Sequence, residues 1–206
     1  MTNTIDEFHK QYYYSLAWGQ TYWLGQPVLK CPLDLFIYQE ILYEIQPDII
    51  LECGTNQGGS ALYLASICDL MNKGKIITID IMKYEQTPDH PRITYFIGNT
   101  ASEDMLNQVK ELISPTDVVL VILDSDHSKQ HVLNEMNLYH PLVSIGSYLI
   151  VEDTNINGHP VLPDFGPGPM EAVQEFLLQS EDFIIDSSRQ KHLLTMHPNG
   201  YLKKIK

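Results

Sequence analysis

The sequence predicts a doubly wound α/β domain, a mostly parallel, Rossmann-like sheet with helices on both faces. Three observations lead there. From residue 48 onward, short apolar runs alternate with helical patterns. One run, Val118–Leu123 (VVLVIL), is apolar throughout, as a strand covered on both faces would be. Polar, chemistry-bearing residues also cluster just after the runs, beyond the carboxyl ends of the strands, where ligands bind in such sheets.

Asp48–Cys53 (DIILEC) is the first strand of this alternation and stops at a glycine cluster. Ser60–Asn72 carries Leu62, Leu64, Ala65, Ile67, Cys68 and Met71, a helical stripe closed by Gly74. Lys75–Asp80 (KIITID) and Ile93–Ile97 (ITYFI) follow as strands. Ser102–Ile113 reads as a helix capped by Ser102 and stopped by Pro115. After Val118–Leu123 come a helix over Ser128–Tyr139, ended by Pro141, and a fifth strand, Ser147–Val151. The two ends differ from this middle. Residues 1–47 hold an aromatic stretch (Tyr12, Tyr13, Tyr14, Trp18, Tyr22, Trp23) and a helix over Pro32–Ile45. They are expected to pack on the core formed by residues 48–206 or on a neighbouring subunit. Residues 154–169 contain four Pro and three Gly, too many breakers for a helix or strand, so a functional loop is expected. A helix over Met170–Ser180 and short strands near Phe183–Asp186 and His192–Met196 complete the reading.

Composition narrows the function classes. At 206 residues one domain is the default, and 44% apolar residues exclude disorder. The net charge of −13, from 26 acids against 13 Lys and Arg, argues against a nucleic-acid partner, which needs a basic face. No apolar run is long enough for a membrane span, and Met1–Lys10 lacks the order of a signal peptide. Cys31, Cys53 and Cys68 form no C-x-x-C pair and suit reduced thiols, hence a cytoplasmic protein.

The turn Glu52-Cys53-Gly54-Thr55-Asn56-Gln57-Gly58-Gly59-Ser60 follows the first strand directly. It has neither G-x-G-x-x-G spacing nor the lysine of a phosphate-binding loop, so it suits a nucleoside without phosphates, such as S-adenosylmethionine. The alternative is an ordinary glycine-rich strand–helix turn. The candidate cofactor residues are Glu52, for a cationic or amino group, with Gly54, Thr55, Asn56, Gly58 and Ser60 of the turn. Asp80 would take the ribose hydroxyls, Asn99 and Thr100 would flank the adenine, and Asp124 stands where the next strand ends.

Leu123-Asp124-Ser125-Asp126-His127 and Val151-Glu152-Asp153-Thr154 end two neighbouring strands, which places two pairs of carboxylates at one rim. Like charges that close repel unless a cation or protons intervene. A hard divalent ion, Mg²⁺ most simply, resolves the conflict, with Asp124, Asp126, Glu152 and Asp153 as candidate ligands. Solvated acids at strand ends are the plain alternative. His127 is the natural general base for a hydroxyl whose pKa a neighbouring cation lowers. A shared metal on His127 and His131, at i,i+4 spacing, is a competing picture.

These motifs resemble the cephalosporin hydroxylase/rhamnosyl O-methyltransferase family of class I S-adenosylmethionine-dependent methyltransferases. The resemblance rests on Thr21–Leu35 (TYWLGQPVLKCPLDL), Leu51–Ser60, Leu123–Val132 (LDSDHSKQHV) and Gly146–Ala172 (GSYLIVEDTNINGHPVLPDFGPGPMEA). It implies a seven-stranded sheet whose last strand is antiparallel, S-adenosylmethionine in the glycine turn and Asp80 on its ribose. Related macrolide-sugar enzymes hold Mg²⁺ at positions that look like Asp124, Glu152 and Asp153, with His127 matching the base; Asp126 is a rival for the first ligand. The implied activity is O-methylation of a small hydroxylated acceptor, a sugar or natural product, by a homo-oligomer. Two other readings remain: a non-haem metal-dependent hydroxylase, which commonly needs two His and one carboxylate, and a cofactor-binding partner protein without catalysis.

Overall fold

The structure, a computed structural model, describes residues 4–206; Met1–Asn3, at the start of the polar N-terminal stretch, lie outside the described residues. The chain opens with helix α1 (Thr4–Tyr14) and a short 3₁₀ turn at Ala17–Gln20. A two-stranded hairpin of β1 (Tyr22–Trp23) and β2 (Gln26–Pro27) follows, and then α2 (Pro32–Ile45), whose Pro32 stands in the first turn, where no N–H is needed. Strand and helix then alternate: β3 (Ile49–Cys53), α3 (Gly59–Met71), β4 (Lys75–Asp80), β5 (Ile93–Ile97), α4 (Glu103–Lys110), β6 (Val119–Leu123), α5 (Lys129–Tyr139) and β7 (Tyr148–Val151). After the irregular loop come α6 (Pro169–Gln179), β8 (Phe183–Ile185) and β9 (Tyr201–Lys204).

The sheet has seven strands in the order β5-β4-β3-β6-β7-β9-β8. The pairs from β5 to β7 are parallel, and β9 runs antiparallel to both its neighbours. The Rossmann-like expectation with a reversed last strand holds. The apolar runs are double-faced, as anticipated for Val118–Leu123. Ile50, Leu120 and Ile122 pack toward α2 and α3, while Leu51, Val121 and Leu149 pack toward α4, α5 and α6.

Two expectations need correction. No strand forms over His192–Met196: Leu193 adopts a left-handed φ of 68°, and Asp34 takes the Thr195 hydroxyl and the Met196 N–H. The last strand forms instead over Tyr201–Lys204, between β7 and β8, a run with little apolar signal. The helix after Ser102 also ends at Lys110 rather than Ile113, because the next turns tighten to i→i−3 bonds at Leu112 and Ile113. Ser102 does cap it, accepting the Met105 N–H at 3.2 Å.

The N-terminal hairpin lies against the chain's own glycine turn and α3. The Trp23 indole donates to Ser66 Oγ at 3.0 Å and meets Tyr63 edge-on, whereas Tyr22 and Leu24 are exposed. A Cβ at Gly59 would fall 1.9 Å from the Pro27 carbonyl oxygen. That glycine therefore makes room for protein backbone. Among the described residues no helix is long and apolar enough to cross a membrane, and all three cysteines are free and buried.

Candidate active site

A cleft of about 760 Å³ opens beyond the carboxyl ends of the central strands, a size suited to a small ligand. One side is local in sequence. Gly54, Thr55, Asn56 and Ser60 line it, with Asp80, Asn99 and Thr100 from the ends of β4 and β5. Asp80 is braced by backbone: Oδ2 accepts the Asn56 N–H at 2.8 Å and Oδ1 the Met82 N–H at 3.0 Å. Gly54 has φ +102°, and a Cβ there would lie 1.8 Å from the Asp124 carbonyl oxygen, so it lets the turn sit against the end of β6. No lysine or arginine is among the residues lining the cleft.

Two candidate cofactor residues stand elsewhere. Gly58 precedes α3 under Pro88 and does not line the cleft. Glu52 does not line the cleft either: it is wholly buried and accepts the Thr78 hydroxyl at 2.6 Å. Burial pushes its carboxyl up to about 7 against the opposing pull of Lys30.

The other side is assembled from distant segments. Asp124 and Asp153, at the ends of β6 and β7, face His127 Nε2 from both sides, each at 3.4 Å. These three form a group able to hold a cation, each offering one ligand atom. Burial works against a charged His127, but its hydrogen bond to Asp124 and the charges of Asp153, Asp124 and Glu152 prevail and raise its pKa to about 9. Burial likewise works against the Asp124 carboxylate, yet Lys30 and His127 hold its pKa below the usual range. Burial and the nearby Asp124 charge keep Asp153 above its usual range.

The remaining acids take other posts. The exposed Asp126 accepts the Ser128 N–H at 2.8 Å in a turn just ahead of α5 and stands outside the cation group. Glu152 is buried with both oxygens occupied: Tyr38 donates to Oε1 at 2.6 Å and Lys30 to Oε2 at 2.6 Å. His131 does not join His127; its Nε2 lies against Thr100 Oγ1 and Glu135.

Sequence reasoning missed Lys30. Its ammonium, 4% exposed, bridges Asp124 Oδ2 at 2.7 Å and Glu152 Oε2 at 2.6 Å. Burial opposes that charge, but Asp124, Glu152 and Glu52 together raise its pKa. Its only signal was one lysine in an otherwise apolar stretch, Val28–Cys31, ahead of α2. Tyr38, Asp34 and His197 were missed as well, since each lies in an ordinary-looking helix or turn.

The N-terminal segment and the long loop close the cleft together. Tyr13 and Trp18 stack at 5.7 Å, with the indole N–H donating to the Tyr13 carbonyl, and Ile156 and Phe165 line the cleft from the loop. The Leu162 N–H donates to Tyr14 Oη at 3.0 Å, and Glu171 accepts from Asn157 and from the Gly168 N–H.

The family description Rhamnosyl O-methyltransferase/CmcI matches residues 15–205. The chain belongs to this family. A rhamnosyl O-methyltransferase of Mycobacterium tuberculosis is 41% identical over 204 residues, covering 96% of this chain and 83% of that protein. The Mycobacterium leprae protein of the same name is 38% identical over 205 residues, covering 96% and 89%. Among solved structures, CmcI with Mg and S-adenosylmethionine aligns with a TM-score of 0.70 at 21% identity, over 91% of this chain and 78% of that one. That likeness is one of fold.

Proposed function

We propose that this family member transfers the methyl group of S-adenosylmethionine to a hydroxyl of a sugar or other small natural product, with Mg²⁺ beside Asp124 and Asp153 and with His127 as base. The observation that carries the reading is His127 Nε2 set between two carboxylates, in the same cleft that holds the glycine turn and Asp80. The family's rhamnosyl O-methyltransferases support the reaction class.

The residues fit both groups. A cleft lined by Asp80, Asp124 and Asp153 and by no lysine or arginine, its His127 already set between two of those carboxylates, suits a cationic nucleoside better than phosphates. Asp124, Glu152 and Glu52 all act on the single buried ammonium of Lys30, and Asp153 adds a further acid, so an excess of negative charge is left for a hard divalent ion. Asp124 and Asp153 would hold that ion. When bound, S-adenosylmethionine supplies an electrophilic methyl and Mg²⁺ supplies Lewis acidity toward the acceptor hydroxyl.

The chain's own residues do the rest. Facing two free carboxylates, His127 keeps a proton at neutral pH; once their charge is neutralised, its Nε2 can take the acceptor's proton. The stacked Tyr13–Trp18 pair and Phe165 present apolar faces to an acceptor ring and exclude water. Residues 1–47 are thus part of the working unit, since they bring both this wall and Lys30. The cation group contains one His and two carboxylates, unlike the two-His set of an oxygenase.

Calorimetry with S-adenosylmethionine, followed by methyl-transfer assays on a panel of glycosides with and without MgCl₂, tests the reading. Saturable binding and Mg²⁺-dependent methylation are expected. No binding at high micromolar cofactor, or oxygen consumption in place of methylation, overturns it.

A further inference from the structure

His197 lies 44 residues from Asp153 in sequence, at the turn before β9, and is 2% exposed. Its Nδ1 accepts the backbone N–H of Asp153 at 3.1 Å. That bond matters because Asp153 is where the chain leaves β7, and its φ is 51°, in the left-handed region where a non-glycine residue needs outside support. Nδ1 as acceptor places the proton of a neutral ring on Nε2. There it faces oxygens alone: Tyr38 Oη at 3.5 Å, Glu152 Oε2 at 3.5 Å and Asp34 Oδ2 at 3.7 Å.

The ring cannot easily turn away from this post. It stacks on Tyr38 at 6.1 Å and 16°. The His197 backbone N–H donates to Thr195 Oγ1, and Asp34 grips Thr195, Met196 and Tyr201. Thr154 donates to the Pro198 carbonyl, fastening the same turn beside the Asp153 segment. A Cβ at Gly200 would fall 2.1 Å from the Val151 carbonyl oxygen, so the turn comes as close to the end of β7 as backbone allows.

We propose that His197 is a positioning residue for the cation group, holding the Asp153 backbone in its left-handed turn so that the Asp153 carboxylate meets Asp124 and His127. It touches neither acceptor nor cofactor and acts only through Asp153. The inference rests on the reading of Asp124 and Asp153 as Mg²⁺ ligands. Partners that orient ligands typically change metal affinity by about 10–100-fold when removed.

The test is titration of the full-length protein with Mn²⁺, following free Mn²⁺ by electron paramagnetic resonance, alongside calorimetry with S-adenosylmethionine. His197→Leu should weaken Mn²⁺ binding by about 10–100-fold while cofactor affinity stays within about twofold. His197→Asn, whose Oδ1 can accept the same N–H, should restore most of the Mn²⁺ affinity; a purely space-filling role would not be rescued this way. Wild-type Mn²⁺ affinity in His197→Leu, or no rescue by Asn, overturns the inference while leaving the Mg²⁺ reading intact. A wild-type protein that binds no Mn²⁺ overturns both. Should the Leu variant not fold, the ring ¹⁵N shifts of wild-type His197 decide: an unprotonated Nδ1 is expected, and a protonated one overturns the proposal.

Discussion

The two halves of the cleft are built on opposite principles. The cofactor half comes from one turn and the next two strand ends, and its side chains satisfy one another through short-range backbone bonds, as at Asp80. The cation half draws on residues 30, 38, 124–127, 152–153 and 197, and concentrates charge away from water. A local half can be altered residue by residue. A collective half fails as a unit, because each buried charge depends on its partner. Substitutions on the two sides should therefore separate cleanly into effects on cofactor binding and effects on chemistry or stability.

The sharpest way to break that comparison is His127→Ala. If the base sits in the cation half, kcat should fall by about 10²–10⁴-fold. Cofactor affinity, measured by calorimetry, should stay unchanged. A fall confined to cofactor binding would mean that the halves are not separate.

Lys30→Met comes next. The methionine fills a similar volume but leaves Asp124 and Glu152 facing each other without their shared ammonium. Losing one partner of a buried ion pair costs about 3–5 kcal/mol, or a Tm drop on the order of 10 °C at this chain length. Mg²⁺ should raise the Tm of the variant more than that of the parent, since the ion then meets uncompensated charge. Equal stability of both proteins would show that the cation half is not collectively held.

The same contrast explains what was legible in the sequence. Strands β3 to β7 announced themselves as apolar runs, and the motifs at their ends were contiguous, so spacing pointed to a cleft with Asp124, Asp126, Glu152 and Asp153 near His127, of which the structure gathers Asp124 and Asp153 around His127. Burial was not legible. Glu52 and Asp80 both end apolar runs, yet only Asp80 reaches the cleft. Asp126 and Asp124 stand two residues apart, and hydrogen bonding to the Ser128 N–H in the turn before α5, invisible to composition, engages Asp126 instead. Lys30, Asp34 and His197 carry no local signature because their roles exist only after α2 and the β9 turn have docked. The misplaced last strand has the same cause: Asp34, a helix residue, claims the backbone around Met196.

The charge balance of the cation half can also be read from stability against pH. In metal-free protein the His127 pKa is raised from 6.5 to about 9, so its contribution is complete below about pH 6.5 and fades as pH rises through 9. Urea unfolding should show a loss of at most about 3 kcal/mol across that window. His127→Gln should flatten the slope, and so should saturating Mg²⁺, which takes over the two carboxylates. A slope that survives in the His127→Gln protein would assign it to another group.

The smallest expected effect probes whether the acceptor wall belongs to neither half. Trp18 meets the cleft through its ring and holds Tyr13 by a stack and by its indole N–H. Trp18→Phe keeps an aromatic face but loses that hydrogen bond, and Trp18→Ala loses both. Aromatic contacts contribute about 0.5–1.5 kcal/mol beyond the area they cover. The acceptor KM should therefore rise on the order of tenfold in the Ala variant and less in Phe. Cofactor KM and Mn²⁺ affinity should not move in either. A change in Mn²⁺ affinity would tie the wall to the cation half instead, through Tyr13, whose phenol feels the Asp153 charge after burial has already raised its pKa.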